Sequence, residues 1–114
     1  MLEIAVMIEG QNGLTWTRWQ KIVQLVEGLG FVGLFRSDHF TNSNPPALDS
    51  LELWTSLTWL ADNTKRIEFG PLVTPFSFRH PVHTARMASA PRGRKTCQAV
   101  RRPSGARVSR FWMR

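Results

Sequence analysis

The residues best suited to chemistry stand in Arg36-Ser37-Asp38-His39-Phe40, directly behind an apolar run. Imidazoles titrate near neutrality, so a histidine such as His39 can give or take a proton at a reacting group. The plainer reading is a histidine that caps loop backbone, with Asp38 an ordinary loop residue. Further polar residues follow two other apolar runs: Glu9, Gln11 and Asn12 after the first, and Thr74 after the third. Arg79-His80-Pro81-Val82-His83 carries two histidines but no cysteine or acid at ligand spacing, so no metal site is expected. Cys97 is the single cysteine; it excludes an internal disulfide framework and fits a reducing compartment.

These groups need elements to hold them. Residues 2–8, Leu-Glu-Ile-Ala-Val-Met-Ile, read as a short strand of the kind covered on both faces, ending at the loop Glu9-Gly10-Gln11-Asn12-Gly13. Trp16, Trp19, Ile22, Val23, Val26 and Leu29 then recur at three- and four-residue steps, which predicts a helix whose Trp pair lies in the core. Thr17 with Gln20 can form a capping box, and Thr15 is the alternative cap; Gly28 and Gly30 close the helix. Phe31 to Phe35 reads as a second buried strand. After Asn44-Pro45-Pro46, a second helix is expected with Asp49 and Glu52 as its capping box and Leu51, Trp54, Leu57, Thr58 and Ala61 as its apolar stripe. Ile67 to Val73 reads as a third strand interrupted by Gly70-Pro71, and His80-Pro81 as the start of a third helix.

Strands alternating with helices predict right-handed crossovers and a parallel sheet, hence the α/β class. A dinucleotide-binding fold is disfavoured, because Glu9-Gly10-Gln11-Asn12-Gly13 is not Gly-x-Gly-x-x-Gly and no acid ends the second strand in the ribose-binding role. The polar residues gather instead after the C-terminal ends of all three strands, where a (β/α)8 barrel places its active site. Three strands alone leave two edges open, through which an oligomer could form.

Charge divides the chain. All eight acidic residues precede Ala90, whereas eight of the fifteen Lys+Arg follow it. The front, with seven cations against eight acids, is nearly neutral, so the pI of about 11.3 describes the tail. Five Trp and seven Phe suit a globular chain, and 114 residues allow one domain at most. No apolar run reaches the roughly 18–20 residues of a membrane span, and Glu3 with no preceding basic region argues against a signal peptide. A cytoplasmic location is the expectation.

Five segments in order carry a family resemblance: Glu9-Gly10-Gln11-Asn12-Gly13, Leu29-Gly30-Phe31, Ser37-Asp38-His39-Phe40, Ala61-x-x-Thr64-x-Arg66-Ile67 and Phe78-Arg79-His80-Pro81. From Ile4 to Met87 the chain resembles the start of the luciferase-like monooxygenase superfamily, in particular its deazaflavin-dependent (coenzyme F-420) oxidoreductases. The resemblance implies the N-terminal β-α-β-α-β portion of a (β/α)8 barrel, about the first third of a typical member. It also implies a flavin or deazaflavin held by the barrel, with hydride transfer to or from a small-molecule substrate or activation of oxygen. In the similar deazaflavin enzymes the histidine of Ser-Asp-His-Phe lies near the reactive ring. His39 is then the candidate for proton transfer, with Asp38 contacting the cofactor or orienting the loop. Leu72, Val73 and Thr74 occupy the position where the family's third strand often bulges behind the ring, sometimes with a non-prolyl cis peptide.

The resemblance stops near Ala90, which sets residues 1–89 as a partial barrel domain and 90–114 as a basic, disordered tail. Family members continue with a segment like Asp-Asp-Leu-Ser-Gly-Gly-Arg, and this chain does not. Pairing the third base of each codon with the first two of the next, from Arg94 to Val100, permits Glu-Asp-Leu-Ser-Gly-Gly. The tail is therefore open to a frameshift reading, a hypothesis that an unambiguous genomic sequence across codons 86–100 in the present frame, shared by close relatives, would sink. On this reading the chain is a truncated enzyme that binds no cofactor by itself. The rival reading makes the tail functional: eight cations with Phe111 and Trp112 could bind phosphate backbones and stack on bases. Against it, the tail shows no recognised nucleic-acid motif.

Overall fold

Thr15, rather than Thr17, opens the first helix. Its extended backbone leaves the side chain free to accept from the Arg18 N–H at 3.3 Å, while Thr17 falls inside the helix. This helix, α1 (Trp16–Gly28), follows strand β1 (Ala5–Ile8) and precedes β2 (Gly33–Arg36) in the computed structural model, which describes residues 2–90. The chain continues through α2 (Leu53–Asn63), β3 (Glu68–Pro71), a 3-10 turn at Phe76–Phe78 and α3 (Pro81–Ser89). The expectations for Cys97 and for the tail beyond Ala90 lie outside the described residues.

The strands are wholly parallel in the order β1-β2-β3, with Ile8 opposite Arg36 and Arg36 opposite Pro71. The predicted βαβαβ series is therefore present, with each strand shorter than its apolar run. Ile67 stays fully buried just before β3, and Gly70-Pro71 ends that strand rather than interrupting it. Beyond it, the Leu72–Val73 peptide is cis.

Parallel pairing places register partners on one face of the sheet. Val6, Leu34 and Phe69 thus share the face on which α1 and α2 lie, where they meet Trp19, Val23, Val26, Leu57 and Leu60 in the main core. The opposite face differs from the two-sided cover expected of β1: Ala5 and Met7 are exposed there and Phe35 is half-buried. The Trp pair also splits. Trp19 is buried and its indole N–H donates to the Ser56 carbonyl at 3.1 Å, but Trp16 is 37% exposed and meets Trp59 edge-on.

The capping box expected of Asp49 and Glu52 does not form. Glu52 is itself the N-cap of α2, accepting from the Thr55 N–H at 2.7 Å, and the Asp49 carbonyl accepts from the Gly13 N–H at 3.0 Å. Pro81 stands at the first position of α3, as the His80-Pro81 pair predicts, and the His80 Nδ1 accepts from the Val82 N–H at 3.3 Å. Among the described residues, no helix is long and apolar enough to cross a membrane, and no group of three or more His, Cys, Asp and Glu could hold a metal.

Candidate active site

Both crossovers run from the C-terminal end of one strand, so the loops after β1, β2 and β3 emerge on a single rim. Ser37 links the first two loops. Its N–H donates to the Ile8 carbonyl at 3.1 Å, its hydroxyl donates to Gln11 Oε1 at 3.0 Å, and the same oxygen accepts from the Gly10 N–H at 3.3 Å. Gln11 in turn donates through its amide nitrogen to Glu9 Oε2 at 3.0 Å. Of the expected polar cluster, Gln11 and Ser37 are buried connectors, whereas Glu9 and Asn12 are exposed.

Arg36, read from sequence as one of the rim polar residues, is instead a core residue, 1% exposed. It alternates to the helix-covered face of β2, and its guanidinium lies over the Trp19 ring at 5.1 Å. One Nη donates to the Leu51 carbonyl at 2.7 Å and the other to the Ser56 hydroxyl, so the residue ties β2 to the segment that enters α2. Burial pushes its pKa down to about 10, against the opposing pull of the Glu52 and Asp38 carboxylates. The cation therefore persists at neutral pH.

Asp38 is 3% exposed and forms an ion pair with Arg79. Arg79 spans two carboxylates, its other Nη meeting Glu52 Oε1 at 2.8 Å. Burial works against its charge, but the hydrogen bond and charge of Asp38, joined by those of Glu52, outweigh this and raise its pKa. Burial likewise acts to raise the Glu52 pKa; hydrogen bonds from Thr55 and Trp54 and the charge of Arg79 outweigh it and lower the value. In the sequence Arg79 stands within the Phe78-Arg79-His80-Pro81 segment with no role evident. No local pattern around Arg79 points to Asp38, forty-one positions earlier in the chain.

His39 is exposed, one residue beyond the buried acid. Its carbonyl accepts from the Ser50 hydroxyl at 2.7 Å, which fixes the backbone and leaves the ring at the surface. The Leu72 N–H donates to the Arg36 carbonyl at 2.6 Å, so the segment after β3 lies beside the start of the Ser37-Asp38-His39 loop. Leu72 and Val73 expose apolar surface there, and the Thr74 hydroxyl is buried with no hydrogen-bond partner among the described residues. A shallow depression lined by Glu3, Gly30, Phe31, Val32, Arg66 and Glu68 lies at the other end of the strands.

A βαβαβ unit with its polar loops on the C-terminal rim defines an α/β protein of the kind that places its chemistry at strand ends. The family model for luciferase-like monooxygenases matches residues 2–90, and the chain belongs to that family. Its members use flavin or deazaflavin coenzymes, which makes an oxidoreductase the functional class. No curated protein matches the chain.

The rim residues fit such a coenzyme in one specific respect. A flat heteroaromatic ring needs an apolar surface with a polar group at its edge, and Leu72, Val73 and the unpartnered Thr74 hydroxyl offer both in consecutive residues.

Proposed function

We propose that the chain forms the ring-facing wall of a flavin- or deazaflavin-dependent oxidoreductase, built as the N-terminal portion of a (β/α)8 barrel. The coenzyme, when bound, supplies the hydride chemistry with a small-molecule substrate. His39 holds or moves the proton at its exposed imidazole, and Leu72 and Val73 give the ring an apolar backing. Thr74 supplies the hydroxyl at the ring edge. Asp38 acts by orienting the loop, because its carboxylate is buried in an ion pair with Arg79. The observation that carries this reading is the unpartnered Thr74 hydroxyl beside the exposed Leu72 and Val73, on the rim that also presents His39.

No phosphate cradle of the Gly-rich kind follows any of the three strands. The 114-residue chain alone is therefore inactive and holds no coenzyme at micromolar concentration; its contact is limited to the ring, with a Kd of about 1 mM or weaker, at most roughly 4 kcal/mol. The test is an NMR titration of the labelled chain with FMN, and in parallel with a soluble deazaflavin. Chemical-shift changes should converge on residues 38–39 and 72–74 at millimolar concentration. Changes centred on Glu3, Arg66 and Glu68, or binding at micromolar concentration, would contradict the proposal.

A further inference from the structure

One guanidinium touches both sequence neighbours of His39. Arg79 pairs with the Asp38 carboxylate, and its Cζ lies 5.0 Å from the centre of the Phe40 ring. Phe40 is backed in turn by Phe78 at 4.8 Å between ring centres, so the arginine and the residue before it grip the same aromatic. The second Nη reaches Glu52, the N-cap of α2, at 2.8 Å. The loop bearing His39 is thus tied through one side chain to α2 and to the segment that leads into α3. The His39 ring, by contrast, projects from a residue that, among the described residues, is hydrogen-bonded through its backbone carbonyl, which accepts from Ser50.

We propose that Arg79 is a positioning residue, which holds the exposed His39 imidazole at the rim by clamping Asp38 on one side and Phe40 on the other. The proposal rests on the reading of His39 as the proton-transfer group, and goes beyond it by assigning the group that aims it. A planar fork suits the task, because it can bond two carboxylates in its plane while presenting its face to an aromatic ring. An ammonium, a compact charge without a planar face, could bridge the carboxylates but could not also lay a flat face on the ring. Arg79 touches no reacting group in this account and acts through the residues on either side of His39.

The test uses the full 114-residue chain and reads backbone order by ¹⁵N relaxation, with the Trp19 indole N–H as the reporter of an intact core. In the parent chain His39 and Phe40 should show order parameters near the rigid value of about 0.85, and Arg79→Gln should lower both below about 0.6. His83, on α3 but outside the clamp, should keep its order. Unchanged values at His39 and Phe40 in Arg79→Gln, with the Trp19 signal in place, would overturn the proposal. Where Arg79→Gln loses the Trp19 signal, Arg79→Lys decides in the same way: lowered order at His39 and Phe40 supports the clamp, and parent-like order refutes it. Failure of the coenzyme reading would appear separately, in the FMN titration, without altering these relaxation values.

Discussion

The guanidinium of Arg36 fills the space that a side chain at Gly10 would need. A Cβ built on Gly10 collides with Arg36 Nη2, the nitrogen that donates to the Leu51 carbonyl. A glycine in the first loop is thus explained by a cation at the end of the second strand. Gly10→Ala must displace the guanidinium or shift the loop, and overpacking of this kind costs roughly 1–3 kcal/mol. Urea unfolding measures it. A gain of stability of about 0.4–1 kcal/mol, the ordinary benefit of removing a glycine, would show that Arg36 swings away freely.

Arg36 itself leads to an expectation that runs against chemical similarity. Arg36→Lys keeps a buried charge while losing the fork, and an uncompensated buried charge costs roughly 3–5 kcal/mol. Arg36→Met removes the charge and still packs on Trp19. It leaves the Leu51 carbonyl unpaired, a cost of about 1–3 kcal/mol, while relieving the desolvation that burial imposes. Ser56 keeps its own bond to the Leu53 carbonyl at 2.6 Å, so it is not stranded. Methionine should therefore be the milder substitution by denaturation midpoint, and lysine milder than methionine would count against this balance.

The same residue shows what the sequence could convey. Alternation of helix and strand was legible because apolar residues at three- and four-residue steps between short apolar runs leave few other solutions, and the parallel order follows from the crossovers. Arg36 was placed at the rim because a strand-end arginine is usually solvated; its burial depends on Trp19 and Ser56, far away in sequence, offering a ring and a hydroxyl. Trp16 was placed in the core because periodicity marks a stripe but not its edges. At α1 the cap is Thr15, the alternative the residues left open, and at α2 it is Glu52, three residues beyond Asp49; all four have the right chemistry, and only tertiary contacts decide between them. Asp38 is legible as a site residue but its partner is not, because a separation of forty-one positions hides an ion pair that the fold makes short.

The cap choice at α1 is open to direct measurement. Thr15→Ala removes the acceptor for the Arg18 N–H and should destabilise the chain by about 1 kcal/mol. Thr17→Ala, at an exposed position inside the helix, should raise stability slightly, because alanine is the better helix former by a few tenths of a kcal/mol. Thermal unfolding of the two variants should separate them, and equal midpoints would refute the assignment.

Glu52 gives the chain a defined acid response. Its folded pKa lies below the ordinary value of 4.5, so the unfolded chain binds its proton first as pH falls. The stabilisation is therefore present in full above about pH 4.5 and is lost as pH drops through the lower, folded value. The carboxylate is partly exposed, so solvent screening limits the contribution to about 0.5–1 kcal/mol at neutral pH. Glu52→Gln should be less stable than the parent by that amount at pH 7, and the gap should close as pH falls below 4.5 and through the lower, folded value. A gap that persists or widens in acid would place the stabilisation elsewhere than in the charge of Glu52.

Thr74 separates stability from function most sharply. A buried hydroxyl without a partner contributes nothing to the fold and bears the cost of its lost hydration, about 1–3 kcal/mol. Valine has nearly the same shape and no hydroxyl. Thr74→Val should therefore stabilise the chain, by about 1 kcal/mol in urea unfolding, while weakening the FMN response at residues 38–39 and 72–74. A residue retained for packing alone would give the first effect without the second. If Thr74→Val destabilises the chain, the hydroxyl already has a use within the fold and is not held in reserve for a ligand. If stability rises and the FMN response is unchanged, the ring edge is met by another group. Only the opposed pair of results, a firmer fold and a weaker response, matches a polar group kept unpaired so that a coenzyme can pair with it.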